Sequence, residues 1–591
     1  MRRVLFATIL ALSQFGCTPP PPPAPDPATK TELNQGSVWT RQTRAQFYKQ
    51  DQGSRIMPLS WIEALKQPDG TPFMADNLNR YGYLKNNEDP STTLPVGFTT
   101  NTDKNGIVAI GMNCAACHTR QIEVDGKPLR VDGGPAIADF QSFLADVDKA
   151  TGKVLTNGAA FKDFAATVLG AGATKAQITQ LHTDVNDWYR PYHAIIAGSL
   201  PKPAWGPSRL DAVGMIFNRL TGLDIGSPKQ GYIIPANIRK ADSPARYPFI
   251  WNASIQDKTQ WPGFAGNGND LLAMARNTGE VFGVFAHFHP KKVLGITDFV
   301  ADNSANIKGL LELETLIKKI GWPRFPWNVD QALAKQGEEI FNSPLSSGTG
   351  CAACHGIKVQ PQALGAPTWC TPVQDVGTDT REYNVIGRTG IDTGMLNGVG
   401  IPGLVPALKP KDDAINVLKV SVIGTIIPHI GEIAWYEIEQ DLAKDPIGLI
   451  KERRERSMLK LAEAYAPKHD PMCHPDPSGK GPFDGPHKYE SRVLQGIWAA
   501  APYLHNGAVP TLDDLLKPVS ERPKAFKIGP AYDPNGKVGL AAEQTKFDYI
   551  LKTTADCRKH NDSGTSVCGH EFGTNLSADQ KKALLEYLKT L

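Results

Sequence analysis

The sequence predicts a mainly α-helical protein, and three observations predict it. Apolar residues recur at helical spacing from Val329 to Phe341 and in the C-terminal stretch that opens at Ser577; strand signals are sparse; and the pentapeptide Cys-Ala-Ala-Cys-His occurs twice, at 114–118 and 351–355. Two thiols one helical turn apart can meet the two vinyl groups of one haem, and the adjacent imidazole then falls under the iron. A zinc or redox Cys-x-x-Cys site does not account for a histidine following both times. The fold class expected is therefore two c-type cytochrome domains with two covalently bound haems. Far more residues separate the motifs than a minimal cytochrome needs, so the N-terminal domain is expected to be enlarged by loop-rich insertions.

Taken in order, the chain opens on Arg2 and Arg3, the apolar run Val4 to Leu12, and small residues at Gly16-Cys17, which is the pattern of a secretory signal. Gly16-Cys17 resembles the end of a bacterial lipobox, although Gln14 stands where an aliphatic residue is usual. The expected location is periplasmic or secreted, with an outer-membrane lipoprotein, attached to the membrane through Cys17, as the variant reading. Residues 18–35 begin with a proline run that suits a stiff tether. An N-terminal haem domain is expected over 36–325, with helices at Ala136 to Ala150 and Asp270 to Phe285 between Gly/Pro-rich loops. The stretch Lys318 to Trp327, with Pro323 and Pro326, reads as an inter-domain linker. The C-terminal cytochrome c domain, 326–591, should start with the helix ending at Phe341 and finish with a helix capped by Ser577. In c-type cytochrome folds these two helices cross. The best candidate for a membrane span, Val417 to Tyr436, carries Lys419, Pro428, His429 and Glu432 and is not expected to cross.

Charge decides little about partners. The 63 basic and 60 acidic side chains of this 591-residue chain leave a net charge of +3, which gives no electrostatic case for nucleic acid or an anionic membrane. Of nine cysteines, one is Cys17 and four belong to the motifs. The even remainder, Cys370, Cys473, Cys557 and Cys568, suggests two disulfides in an exported protein. Cys557 and Cys568 bracket a short polar loop and are paired, which leaves Cys370 with Cys473.

What each iron can do depends on its sixth ligand: a second strong protein ligand makes an electron carrier, an open position a site for peroxide or dioxygen. After His118 no histidine occurs until His182, and Met112 is too close to the motif to reach the opposite face, so the first haem reads as open. His287 and His289 could fold over a haem, although loop histidines of this kind are more often exposed. For the second haem the candidates are His570, in a glycine-flanked loop beside the expected disulfide, and His505, with Met458 and Met472 as weaker rivals. His570 is favoured, with His505 placed beside it.

The segment Gly496-Ile-Trp-Ala-Ala-Ala-Pro-Tyr-Leu-His-Asn-Gly-Ala-Val-Pro-Thr-Leu, together with the two motifs, resembles the bacterial di-haem cytochrome c peroxidase superfamily. The resemblance includes its divergent branch of rubber oxygenases and the di-haem enzyme that matures methylamine dehydrogenase. It implies a tryptophan between the haems, matched by Trp261, and a distal glutamate over the N-terminal haem, matched by Glu280. Trp261 would relay electrons and Glu280 would move a proton between peroxide oxygens. The plainer readings are core packing for Trp261, as for Trp251, and an ion pair with Arg276 one turn away for Glu280. Calcium between the domains is a further candidate cofactor. No histidine shortly after the first motif and no methionine after His505 match the peroxidases; both departures lean towards the oxygenases. Phe282, Phe285 and Phe288 would give the first haem an apolar distal wall.

The function expected is an exported di-haem oxidoreductase that reduces or activates hydrogen peroxide, or dioxygen, at the His118 haem. The His355 haem would relay electrons from a small redox protein such as a cytochrome c or cupredoxin. The alternatives are a dioxygenase that cleaves an apolar substrate, as rubber oxygenases do, and a di-haem cytochrome that only transfers electrons.

Overall fold

The structure, a computed structural model, describes residues 31–344, 350–360, 367–442, 485–557 and 564–591. The signal segment with Cys17, most of the tether, and Met458, Met472 and Cys473 lie outside the described residues.

The first motif is delivered by strands. Val108–Met112 pairs antiparallel with Phe98–Thr102 on one side and Met57–Pro58 on the other. The chain then turns through Cys114–Cys117 and leaves as the hairpin Thr119–Val124/Lys127–Asp132. Asp125 and Gly126 sit at its tip with φ of 50° and 73°, the left-handed pair that a type I′ turn requires. That Asp-Gly step between alternating apolar residues (Ile122, Leu129 and Val131, all buried) is a strand signal of the kind expected to be sparse. Helix makes up 40% of the structure, and strand is a fair share of the rest.

The hairpin ends in a polar hub. The buried carboxylate of Asp132 accepts from Trp39 Nε1 at 2.8 Å, Arg44 Nε at 2.7 Å and Tyr48 Oη at 2.5 Å. Removing it takes three hydrogen bonds from the hub and leaves the buried Arg44 guanidinium with Glu88 at 3.5 Å, so Asp132→Ala is expected to cost about 3 kcal/mol. The shift of the chemical-denaturation midpoint measures this; an unchanged midpoint would mean the hub contributes nothing.

The helix expected from Ala136 forms as Phe140–Thr156, because Asp139 takes the cap position and accepts from Ser142 N. It packs on Lys175–Ser199, a 25-residue helix opened by a capping box of Thr174 and Gln177 that sequence reading did not single out. The helix expected over Asp270 to Phe285 ends at Gly283, and the backbone then reverses at Phe285, with φ of 71°. In the C-terminal part, Gln331–Phe341, capped by Asp330, packs along Ala578–Thr590, capped by Ser577; the Phe341 and Tyr587 rings lie 5.2 Å apart.

The apolar core runs through the boundary expected at 325/326. One cluster joins Trp39, Phe47 and Ile122 to Trp498, Leu584 and Leu588; another joins Phe217 and Phe282 to Ile391, Val417 and Ile423. The stretch read as a linker is a packed strap. Trp327 stacks on Tyr532 at 6.2 Å, and Trp498 Nε1 donates to Pro323 O at 2.9 Å. Its prolines signal a break, but the aromatics around them, Trp322, Phe325 and Trp327, carry the apolar area that docks it. Ala414–Ile426 continues through a turn at Pro428 into Ile430–Leu442. The stretch Ala414–Tyr436 is long and apolar enough to cross a membrane by length and composition. Within it Val417, Val420, Ile423 and Ile426 are fully buried against the protein.

Candidate functional site

Each attachment motif forms a single helical turn. At the first, Asn113 caps the turn by accepting from Ala115 N at 2.9 Å, and its amide is anchored to the Phe47 and Gln50 carbonyls. Gly97, with φ of 76°, lies against this turn so closely that a Cβ would collide with Ala116 N. Among the described residues four cysteines remain unbridged, and they are the four of the two motifs. Cys557 and Cys568 form a disulfide, and Cys370 is also disulfide-bonded. Its expected partner Cys473 lies outside the described residues.

Both motif histidines are oriented in the same way. His118 Nδ1 lies 2.8 Å from the Pro248 carbonyl and His355 Nδ1 2.7 Å from the Arg492 carbonyl. A carbonyl only accepts, so each Nδ1 carries the hydrogen and each Nε2 keeps its lone pair free, the arrangement that orients a metal-bound imidazole. Burial pushes His118 down to about 4 and lowers His355 too, so both rings are neutral at pH 7. The two supports are linked: Arg492 Nη1 donates to the Phe249 carbonyl at 2.7 Å, and Phe249 is bonded to Pro248. A run of hydrogen bonds and one peptide unit thus joins the two proximal imidazoles.

The second site is a cavity of about 170 Å³ walled by Phe341, Leu584, Leu588 and Leu512, with Cys351, Cys354 and His355 on its edge. His570 stands across from His355, the ring centroids 6.1 Å apart. Two imidazoles on one iron, at bonds of roughly 2 Å, hold their centroids about 6 Å apart. His570 Nδ1 is buried with no hydrogen-bond partner among the described residues, and burial pushes the ring down to about 3. An orphaned ring nitrogen, an opposed imidazole and two unbridged thiols fit a c-type haem.

The loop that carries His570 is held firmly. Arg522 donates to the carbonyls of Val567, Gly569 and His570, at 2.5, 2.7 and 3.0 Å. The His570 amide donates to Val376 O at 3.0 Å, and the Cys557–Cys568 disulfide lies just upstream. Gly569 packs on the 376–378 backbone, where a Cβ would collide with Gly377 C. His505 lines the same cavity but is stacked on Tyr489 at 3.9 Å, and burial with Arg246 nearby pushes it down to about 3.

The first site is built differently. The His118 ring meets Tyr247 edge-on at 6.5 Å, and Tyr247 hydrogen-bonds the Cys117 thiol. Burial raises the pKa of both motif thiols, and the charge of the half-buried Glu280 adds to it, which puts its carboxylate within electrostatic reach of this site. Burial raises the Glu280 carboxyl itself, against the pull of Arg276 and of Gln260, whose Nε2 donates to Oε1 at 2.6 Å. Arg276 turns instead to Glu314 at 2.7 Å, so the one-turn ion pair is not how Glu280 is held.

Trp261 follows Gln260 directly. Its indole borders the His355–His570 cavity, donates to Arg246 O at 3.0 Å and lies under the Arg246 guanidinium at 4.7 Å. One dipeptide therefore touches Glu280 and the wall of the second cavity. Trp251 is a core residue, stacked on Phe249 at 4.8 Å.

The three phenylalanines do not form one wall. Phe282 and Phe288 pack on each other at 4.8 Å in the core, while Phe285, past the chain reversal, stacks on Tyr192 at 5.7 Å. His182 meets Phe161 at 4.8 Å, and Met112 is buried in the strand before the motif. Sequence reading missed Pro248, Arg492, Gln260, Tyr247 and Arg522.

Residues 488–527, which carry Arg492, His505 and Arg522, match the family described as RoxA-like, cytochrome c-like. Among curated proteins the chain is similar to the uncharacterized protein y4iJ of Sinorhizobium fredii, 28% identical over 94% of this chain and 92% of the relative. It also resembles the uncharacterized protein y4iM of the same organism, 38% identical over 17% of this chain and 27% of the relative. The RoxA-like match supports a relationship to rubber-oxygenase-like cytochromes c, and with it a haem-protein oxidoreductase carrying covalently bound c-type haem.

Proposed function

We propose that this is an exported di-haem oxidoreductase that reduces or activates hydrogen peroxide, or dioxygen, beside His118 and receives electrons past His355 and His570. The observation that carries the reading is the asymmetry of the two histidines: His355 is faced by His570 at 6.1 Å, whereas the ring contact of His118 is Tyr247. When bound, haem iron would supply an open coordination position at the first motif and a six-coordinate electron store at the second. With hydrogen peroxide as substrate, Glu280 would accept the proton of one oxygen and return it to the other, which leaves as water, with Gln260 fixing its orientation. Trp261, in contact with the second cavity, is the relay, and the buried Arg246 and Arg492 beside it hold it in place. The donor is a small redox protein, and the N-terminal signal takes the chain to the periplasm or beyond.

Spin-state spectroscopy of the purified protein tests this. One high-spin and one low-spin haem, the former responding to peroxide or dioxygen, is the expected result; two low-spin haems inert to both would leave an electron carrier. The RoxA-like match favours dioxygen and an apolar polymer as a second reading. Turnover of peroxide with reduced cytochrome c, against oxygen uptake with polyisoprene, separates the two.

Glu280→Gln should lower turnover by about 10²-fold, the lower end of general acid–base contributions. The carboxylate must be ionised to take the first proton. Because burial raises its pKa, activity should rise with pH through a point above the ordinary glutamate range, and this limb should vanish in the variant. A wild-type pH profile in Glu280→Gln would remove Glu280 from the mechanism.

A further inference from the structure

Beyond the haem motifs, the segment after the Asp270–Gly283 helix assembles a third cluster of metal-ligating side chains. Phe288 and Asn303 form an antiparallel bridge, flanked by His289 N donating to Asp302 O and Ser304 N to His287 O, each at 2.8 Å. In extended backbone, residues i and i+2 share a face. Phe288 therefore goes into the core, fully buried against Phe282, and His287 and His289 project together on the other side. Asp302 meets them from across the pairing. His287 Nε2 is 3.1 Å from Asp302 Oδ1, and His289 Nδ1 is 3.8 Å from Asp302 Oδ2.

We propose that His287, His289 and Asp302, none of them from either Cys-Ala-Ala-Cys-His motif, form a mononuclear site for a divalent transition-metal ion. One ligand atom from each residue lies within 4.8 Å of the other two. Ligands bonded at about 2 Å around a tetrahedral ion are about 3.3 Å apart, so the cluster needs little closure. The plane of the His289 ring is set by stacking. Tyr232 stacks on it at 3.6 Å, and its second nitrogen, Nε2, lies 4.0 Å from Asp224 Oδ1. Asp224 is buried, with Arg219 at 3.6 Å from the same oxygen and no hydrogen-bond partner for the other among the described residues, so a shift of about 1 Å would let it take the hydrogen-bonding place of an outer carboxylate.

Two imidazoles and one carboxylate suit zinc, or iron and manganese in the +2 state, rather than calcium, which takes an all-oxygen shell. The cluster opens on a cavity of about 710 Å³ bordered by Arg55, Trp188 and Tyr192, leaving room for water or a small ligand in the remaining positions. The competing arrangement is metal-free, with Asp302 paired to Lys291 at 3.1 Å and hydrogen-bonded to His287.

Zinc is the probe. The full-length, haem-loaded protein is stripped with chelator, titrated with Zn(II), crystallised, and measured on both sides of the zinc absorption edge, where iron contributes no difference. One zinc per chain and an anomalous peak among the three side chains are expected. His289→Ala and Asp302→Asn should weaken binding at least about tenfold, with the haem spectra unchanged. The absence of that peak, or wild-type zinc affinity in Asp302→Asn, would overturn the site. Should a variant fail to fold, the wild-type anomalous map decides by itself.

Discussion

Replacing His118 with glycine is expected to abolish reaction with peroxide or dioxygen, by at least about a thousandfold, or roughly 4 kcal/mol of barrier. The second site should keep its low-spin spectrum. The prediction follows from the support of the imidazole: with Nδ1–H committed to the Pro248 carbonyl at 2.8 Å and burial holding the ring neutral, the lone pair of Nε2 is free to bind a metal. Attachment through Cys114 and Cys117 does not depend on this nitrogen, so the variant should still carry two haems per chain by pyridine haemochrome assay. Steady-state turnover of the variant checks the assignment. Retained activity with a full haem complement would move the reactive centre to the second motif and reverse the roles proposed for the two sites.

The two attachment motifs were legible in the sequence because their chemistry depends on residue type and on a spacing of a few residues. The same holds for Ser577 as a cap, and for the Cys557–Cys568 pair, which is local. Glu280 and Trp261 came from a resemblance rather than from pattern, and their surroundings were out of reach. Nothing in the sequence says that Arg276 turns to Glu314 or that Gln260 reaches Glu280, since both depend on helices and loops far apart in the chain. Pro248 and Arg492 act through main-chain carbonyls, which every residue possesses, so no side-chain signal marks them. The expected linker misled for a related reason: Pro323 and Pro326 describe the local backbone, whereas Trp322, Phe325 and Trp327 decide its packing. The Phe282–Phe285–Phe288 wall fails because the backbone reverses at the left-handed Phe285, which sends that ring to Tyr192 while Phe282 and Phe288 pack on each other.

The second large effect concerns the other iron. His570→Ala is expected to convert the second haem from six-coordinate low-spin to five-coordinate high-spin, and to cut turnover supported by a reduced donor protein far more than it cuts binding of peroxide at the first site. Two rings 6.1 Å apart, one with its Nδ1 buried and unpartnered among the described residues, leave a gap that a single metal ion closes. Arg522 and the disulfide fix the loop, so the alanine variant should keep its fold and lose only the ligand. His505→Ala serves as the control. Its ring is stacked on Tyr489 rather than opposed to His355, so its removal should leave the spin state of the second haem unchanged. EPR of the two variants distinguishes the assignments directly. If His505→Ala yields the high-spin signal and His570→Ala does not, the sixth ligand is His505 and the role of the Arg522-held loop is structural. If neither does, the second haem is not bis-histidine ligated, and the asymmetry on which the proposed division of labour stands is lost.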